Sequence, residues 1–174
     1  MSKTISVNVL STESISNAIK EVEAYKQEVR IKAEILRKRV AERVAELAQA
    51  GFNGAIVDDL IHEPAKPADV KVYVENGSDI SLVIAYGQDA VWVEFGAGVY
   101  HNPYPGTSRH PQGERLGMKI GEYKKGYGRL PEWGFRDDTG VTHMTHGTPA
   151  KMPMARAIET VLSEIELIAR EVFS

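Results

Sequence analysis

The chain has 174 residues, 21 Lys and Arg against 24 Asp and Glu, a formal net charge of −3, and no cysteine. That length suits one domain whose folding buries roughly 70% of the unfolded chain's surface, and the composition excludes wholesale disorder and collagen-like repeats. The charge gives no global attraction to phosphate, the missing cysteines exclude disulfides, thiolate zinc sites and cysteine nucleophiles, and no apolar run approaches the ~20 residues of a membrane span. The polar start lacks a signal-peptide core, so the chain reads as soluble and intracellular.

Residues 1–12 form a short strand or extended arm, with Ile5, Val7 and Val9 alternating with Ser6 and Asn8. Ser11 or Thr12 offers an N-cap hydroxyl, and Glu13 places a carboxylate at the positive end of a helix dipole. Residues 13–50 then contain neither Gly nor Pro. Ile15, Ile19, Val22, Val29, Ala33, Leu36, Val40, Val44 and Leu47 mark one apolar stripe, interrupted at Lys26, with Ile31 and Ile35 off it. Gly51 and Asn53-Gly54 stop the helix. A helix of that length spans roughly 57 Å, against a radius of gyration near ~16 Å for a compact domain of this size. It must break into two helices, or protrude and lie on a neighbouring subunit.

Residues 55–68 read as a short helix and a connection bounded by Pro64 and Pro67. A β-meander follows over 69–95. Val70, Val72 and Val74 form one strand, Asn76-Gly77 signals a hairpin turn, and Ile80, Leu82 and Ile84 alternate in the return. Val91 to Phe95 make a third strand. Residues 96–149 are a long insertion loop holding 11 of the 15 glycines and four of the five histidines, with no clear periodicity. Its six aromatics demand burial, so the segment folds against something. Residues 153–173 close the chain as a helix, with Pro153 in its first turn and a broad stripe from Met154 to Val172. The fold class is α+β: a long N-terminal helix and a C-terminal helix packed on a small antiparallel meander.

Several clusters bear on chemistry. His143 and His146 have a chelating i, i+3 spacing that His101 or His110 would complete, but they equally suit a solvated polar hairpin between Gly140 and Gly147. Asp137-Asp138 is an acid/base pair by type and a turn sequence by context, and Asp58-Asp59 is a solvated or capping pair. Gly96-Ala97-Gly98 opens like a dinucleotide fingerprint but has His101 where the third glycine belongs. Lys119, Lys124, Lys125, Arg129 and Arg136 interleave with Tyr123, Tyr127 and Trp133, a pattern suited to a protein interface more than to nucleic acid because Glu114, Glu122 and Glu132 dilute the charge. The reading is therefore of no enzyme, no cofactor and no metal site. The rival is a small metal-dependent or nucleic-acid-acting enzyme using the His-rich loop.

Three segments in order carry a resemblance: Val91-Trp92-Val93-Glu94-Phe95-Gly96-Ala97-Gly98, then Trp133 with Phe135-Arg136-Asp137-Asp138, then Gly147-Thr148-Pro149-Ala150-Lys151-Met152-Pro153-Met154. Over residues 70–172 the chain resembles the neck or tail-completion proteins of long-tailed bacteriophages. That family has Thr where Ala97 stands and Pro-Phe-Met where Met152-Pro153-Met154 stands. The resemblance implies a structural virion protein at the head–tail junction, assembled in the host cytoplasm as a homo-oligomeric ring of six-fold or twelve-fold symmetry. Its implied neighbours are other neck, connector and tail-tube proteins, with genome DNA passing through the ring and neither membrane contact nor sequence-specific nucleic-acid recognition. Its interface candidates are Glu94, Phe95, Gly96, Gly98, Tyr123, Tyr127, Trp133, Phe135, Arg136, Asp137, Pro149 and Pro153.

Overall fold

The computed structural model describes residues 4–57, 60–61, 63–96, 110–112, 115, 132–145 and 147–174. In chain order these form α1 (Thr12–Asn53), β1 (Ile56–Val57), β2 (Lys66–Pro67), β3 (Lys71–Asn76), β4 (Ser81–Tyr86), α2 (Ala90–Phe95), β5 (Trp133–Arg136), β6 (Thr142–Thr145) and α3 (Pro153–Phe173). The fold is α+β, with long helices at either end of the chain and small antiparallel two-stranded sheets between them. Among the described residues no helix is long and apolar enough to cross a membrane.

α1 is one continuous helix of 42 residues, about 63 Å long. Ser11 caps it, its hydroxyl accepting from Ser14 N–H at 3.2 Å, and Glu13 sits in the first turn. Residues 4–10 form no strand; Asn8 instead folds back, its N–H donating to Ser14 Oγ at 2.8 Å. The helix runs through Gly51 and stops at Gly54. Gly51 is helical, and Pro153 packs on it so closely that a Cβ there would lie 2.8 Å from Pro153 Cβ.

α3 lies antiparallel on the C-terminal part of α1. Arg43 grips Glu164 at 3.0 Å, Arg39 meets Glu171 at 3.5 Å, and Lys32 Nζ donates to the carbonyl of Ser174 at 3.4 Å. Between them Val44, Ala48, Ala157 and Val161 are buried. α3 is 21 residues long, so α1 runs on past its end for about 30 Å as an overhang of residues 12–31.

A second buried cluster joins Phe52, Ala55, Val57, Val70, Ala90 and Val93. Three sequence expectations change here. Among the described residues of 55–68 there is no helix but the small β1–β2 pair, Ile56 opposite Pro67. Only two strands of the meander exist. Its third, Val91 to Phe95, is the helix α2: Ala90, Val93 and Glu94 are buried, an i, i+3, i+4 face that leaves Val91 48% exposed. In the hairpin, Asn76 pairs with Ser81 across a four-residue loop, which sets Val72 opposite Ala85 and Val74 opposite Val83. The inward residues of β4 are therefore Val83 and Ala85, while Ile80 and Leu82 are 64% and 53% exposed. Gln49 of α1 covers part of the β3 edge, accepting from Val72 N–H at 2.7 Å and donating to Val70 O at 3.0 Å.

The segment read as an unbroken loop over 96–149 contains a fourth regular unit, the β5–β6 hairpin, with Trp133 opposite Thr145. It leans on Leu60 and Ile61 through the Leu60–Thr145 bridge and an Ile61 N–H bond to Met144 O at 2.9 Å.

Candidate functional site

Two of the three segments that carry the resemblance, residues 91–96 and 147–154, meet in space at the junction of α2 and α3, whereas residues 133–136 lie apart in the β5–β6 hairpin. α3 begins badly by itself: its N-cap, Met152, is left-handed at φ 57°, offers no side-chain cap, and has no acidic residue in the turn that follows. Glu94, projecting from α2, supplies what is missing. One carboxylate oxygen accepts from Met154 N–H at 2.8 Å and the other from Ala155 N–H at 3.0 Å, putting a negative group at the helix's positive end. Behind it, Lys151 N–H donates to Val93 O at 2.8 Å. Gly96 completes the joint. Its φ is 81°, and a Cβ would lie 2.8 Å from Ala150 N and 3.0 Å from Thr148 O, so only glycine lets the two strands of chain approach.

His110 closes the junction. Its Nε2 lies 2.8 Å from Glu94 Oε1, and its ring centroid lies 4.2 Å from that of Phe95. Gln112 N–H donates to Nδ1 at 3.0 Å, so Nδ1 carries no proton and Nε2–H points at Glu94. Both side chains are nearly buried, at 9% and 7% exposure, beside an open cleft of about 430 Å³ whose walls are mainly apolar, such as Ala85 and Val91, with Gln112 and Glu159 also lining it. A carboxylate beside a histidine is the raw material of acid/base catalysis. Here Glu94 accepts three hydrogen bonds, two of them from the α3 terminus, and His110 is tied at both nitrogens, so the pair is engaged in holding the junction.

A second histidine cluster organises the β5–β6 hairpin. His143 Nε2 lies 2.8 Å from Asp137 Oδ2 and Nδ1 lies 3.3 Å from Glu63 Oε1. Both neighbours are acceptors, so only the imidazolium satisfies both. Asp137, and after it Glu63, holds the His143 pKa above its ordinary 6.5, against partial desolvation. The hydrogen bonds from His143 and then Thr139 hold the Asp137 carboxyl well below the usual 3.8. The carboxylates sit on opposite sides of the ring, which is a clasp and not a chelate. Among the described residues no group of three His, Asp or Glu is placed to hold a metal ion.

The interface candidates divide accordingly. Glu94, Gly96 and Pro153 are buried inside the protomer, where they build the junction, and Phe95 is half-buried against His110. Asp137 is half-buried and holds its own turn, accepting from Thr139 and Val141 N–H at 2.9 Å each. Phe135, 42% exposed, stacks on His143 at 5.4 Å, and Arg136 and Pro149 are exposed. Trp133 takes its place in β5. Gly98, Tyr123, Tyr127, His101, His146, the Asp58-Asp59 pair and the basic residues from Lys119 to Arg129 lie outside the described residues.

Sequence reasoning missed the role of His110, and no motif announces it. Glu94 in an apolar run was the available signal, since a charge at an otherwise buried position needs donors. Comparison with known proteins finds no matching family, curated sequence or solved structure.

Proposed function

We propose that the protein is a structural component of a tailed-phage virion, part of the neck or tail-completion ring that joins head to tail, and not an enzyme. The observation that supports this most is the way the resembling segments are used. Glu94, Gly96 and residues 147–154 form one interlocked joint, with the Glu94 carboxylate engaged in holding α3. The apolar surface, in contrast, lies outside the protomer's core. Tyr73, Leu82 and Tyr86 line the outer face of the β3–β4 hairpin at 43%, 53% and 72% exposure, and the α1 overhang carries its own stripe. Among the described residues no third strand joins that hairpin. Surfaces of this kind suit contact with other subunits.

The enzyme reading needs a histidine free to ligate or to move a proton. Of the two histidines among the described residues, His143 is clamped between two carboxylates and His110 is tied at both nitrogens. The test is genetic and direct. Deleting the gene from its phage should leave filled heads and separate tails that do not join, restored by the wild-type chain supplied in trans. Normal joined particles without the protein would overturn the proposal.

A further inference from the structure

The overhang of α1 has a regular seam. Ile15, Ile19, Val22, Lys26, Val29, Ala33, Leu36 and Val40 follow one another at steps of four and three without a break, nearly four heptads of a and d positions. In the first half this seam has no cover: Ile15, Ile19, Val22 and the flanking Tyr25 are 38%, 54%, 54% and 44% exposed. In the second half the same seam becomes the floor of an open apolar groove of about 550 Å³, where Ala33, Leu36 and Val40 face Val83 of β4 and Ile158 and Ile165 of α3. A stripe of exposed knobs and an unfilled groove therefore lie end to end on one helix.

Charge decides what fills the groove. Residues 12–23 hold three carboxylates and one lysine, whereas residues 26–39 hold six cations and two carboxylates. A parallel pairing of two copies would set Lys32 against Arg37 across the seam, like against like. An antiparallel pairing sets the acidic half on the basic half twice over. We infer that a second copy of this chain docks here, each protomer laying Ile15, Ile19 and Val22 into the other's groove in a two-fold antiparallel helix pair.

The register follows from seating the exposed knobs on the groove floor. Ile15 meets the partner's Val40, Ile19 the partner's Leu36, and Val22 the partner's Ala33, a large residue against a small one. Glu23 then faces the partner's Arg30, and the two-fold axis repeats that pair on the same flank. Lys26 falls at the centre of the seam, where a lone charge penalises slipped registers more than the correct one. The contact is isologous and closes on two copies. It does not depend on the neck role: a rotational ring needs no two-fold contact, so either idea survives failure of the other.

The absence of native cysteine makes the test clean. The full-length V22C/A33C chain should oxidise to a covalent dimer, and V22C alone should not. Within one chain the two positions are about 16 Å apart along the helix, too far for an internal bridge. Sedimentation of the unmodified chain should show dimer, or an even-numbered assembly, at micromolar concentration. Ile19→Glu should weaken association at least tenfold with helix content retained. Glu23→Arg should weaken it too, and adding Arg30→Glu should restore it, a rescue that a merely structural effect within one protomer does not give. A wild-type monomer, a dimer indifferent to Ile19→Glu, or cross-linking by V22C alone would each overturn the inference.

Discussion

Replacing Glu94 by Gln is the sharpest probe of the α2–α3 joint. The change is isosteric, yet one of the two acceptor oxygens becomes an NH₂ that faces a backbone N–H or His110 Nε2–H. One charge-assisted bond is lost, worth about 1.5–3 kcal/mol, and the remaining ones drop to neutral strength. Loss of the carboxylate's interaction with the helix terminus adds up to ~1 kcal/mol or more in so buried a place. The sum is about 3 kcal/mol, which for a chain of this length lowers Tm by roughly 6–12 °C. Urea unfolding of the purified variant measures the loss, and amide exchange at Met154 and Ala155 localises it. Glu94→Ala should cost more, because both helix donors then face a void. His110→Ala should cost less, because both helix bonds survive. A loss below about 1 kcal/mol for Glu94→Gln, or unchanged protection at those two amides, would refute the capping argument.

Other expectations follow from the same geometry. Gly96→Ala puts a Cβ against Ala150 N at a φ of 81° and should destabilise by about 1–3 kcal/mol, read by the shift in urea midpoint at constant slope. Phe52→Ala removes the largest fully buried side chain and should cost about 3–5 kcal/mol in the same assay. The His143 clasp has a pH window. Because its folded pKa is raised, its contribution is complete below the ordinary 6.5 and fades as pH rises through the higher folded value. Because the Asp137 pKa is depressed, its contribution is complete above 3.8 and fades as acid reaches the lower folded value. Proton NMR of His143 should titrate above pH 6.5 in the wild type and shift downward in Asp137→Asn; an unshifted titration would break the link between the two.

The two long helices, α1 and α3, were legible because each shows one mechanism at a time. Ser11, Glu13 and the uninterrupted stripe fix the start and course of α1, and Pro153 fixes the start of α3. The register of β4 was not, because Ile80, Leu82 and Ile84 alternate as convincingly as Val83 and Ala85, and only the four-residue loop decides between them. α2 misleads for a similar reason. Val91, Val93 and Phe95 have strand-like alternation and β-branching, but tertiary packing of Ala90 and Val93 against Phe52, with Glu94 drawn to the α3 terminus, overrides local preference. The β5–β6 hairpin is hidden by small and polar residues such as Gly134 and Thr142, whose pattern carries no hydrophobic period. Of the junction, Gly96 and Glu94 were visible as unusual residues. Their partnership with Met154, Ala155 and His110 was not, since it links positions 16 to 61 residues apart.

The contact of Gly96 with Ala150 makes the intervening chain a side branch with both ends rooted at one point. Core packing in α1, α2 and α3 places no demand on how many residues lie between those roots. Lengthening such a closed excursion is thermodynamically cheap, each doubling adding only about 0.6 kcal/mol of closure entropy. The joint is thus a fixed root from which the excursion can change length, so long as the turn around His110 still closes on Glu94, while that carboxylate keeps the same grip on α3.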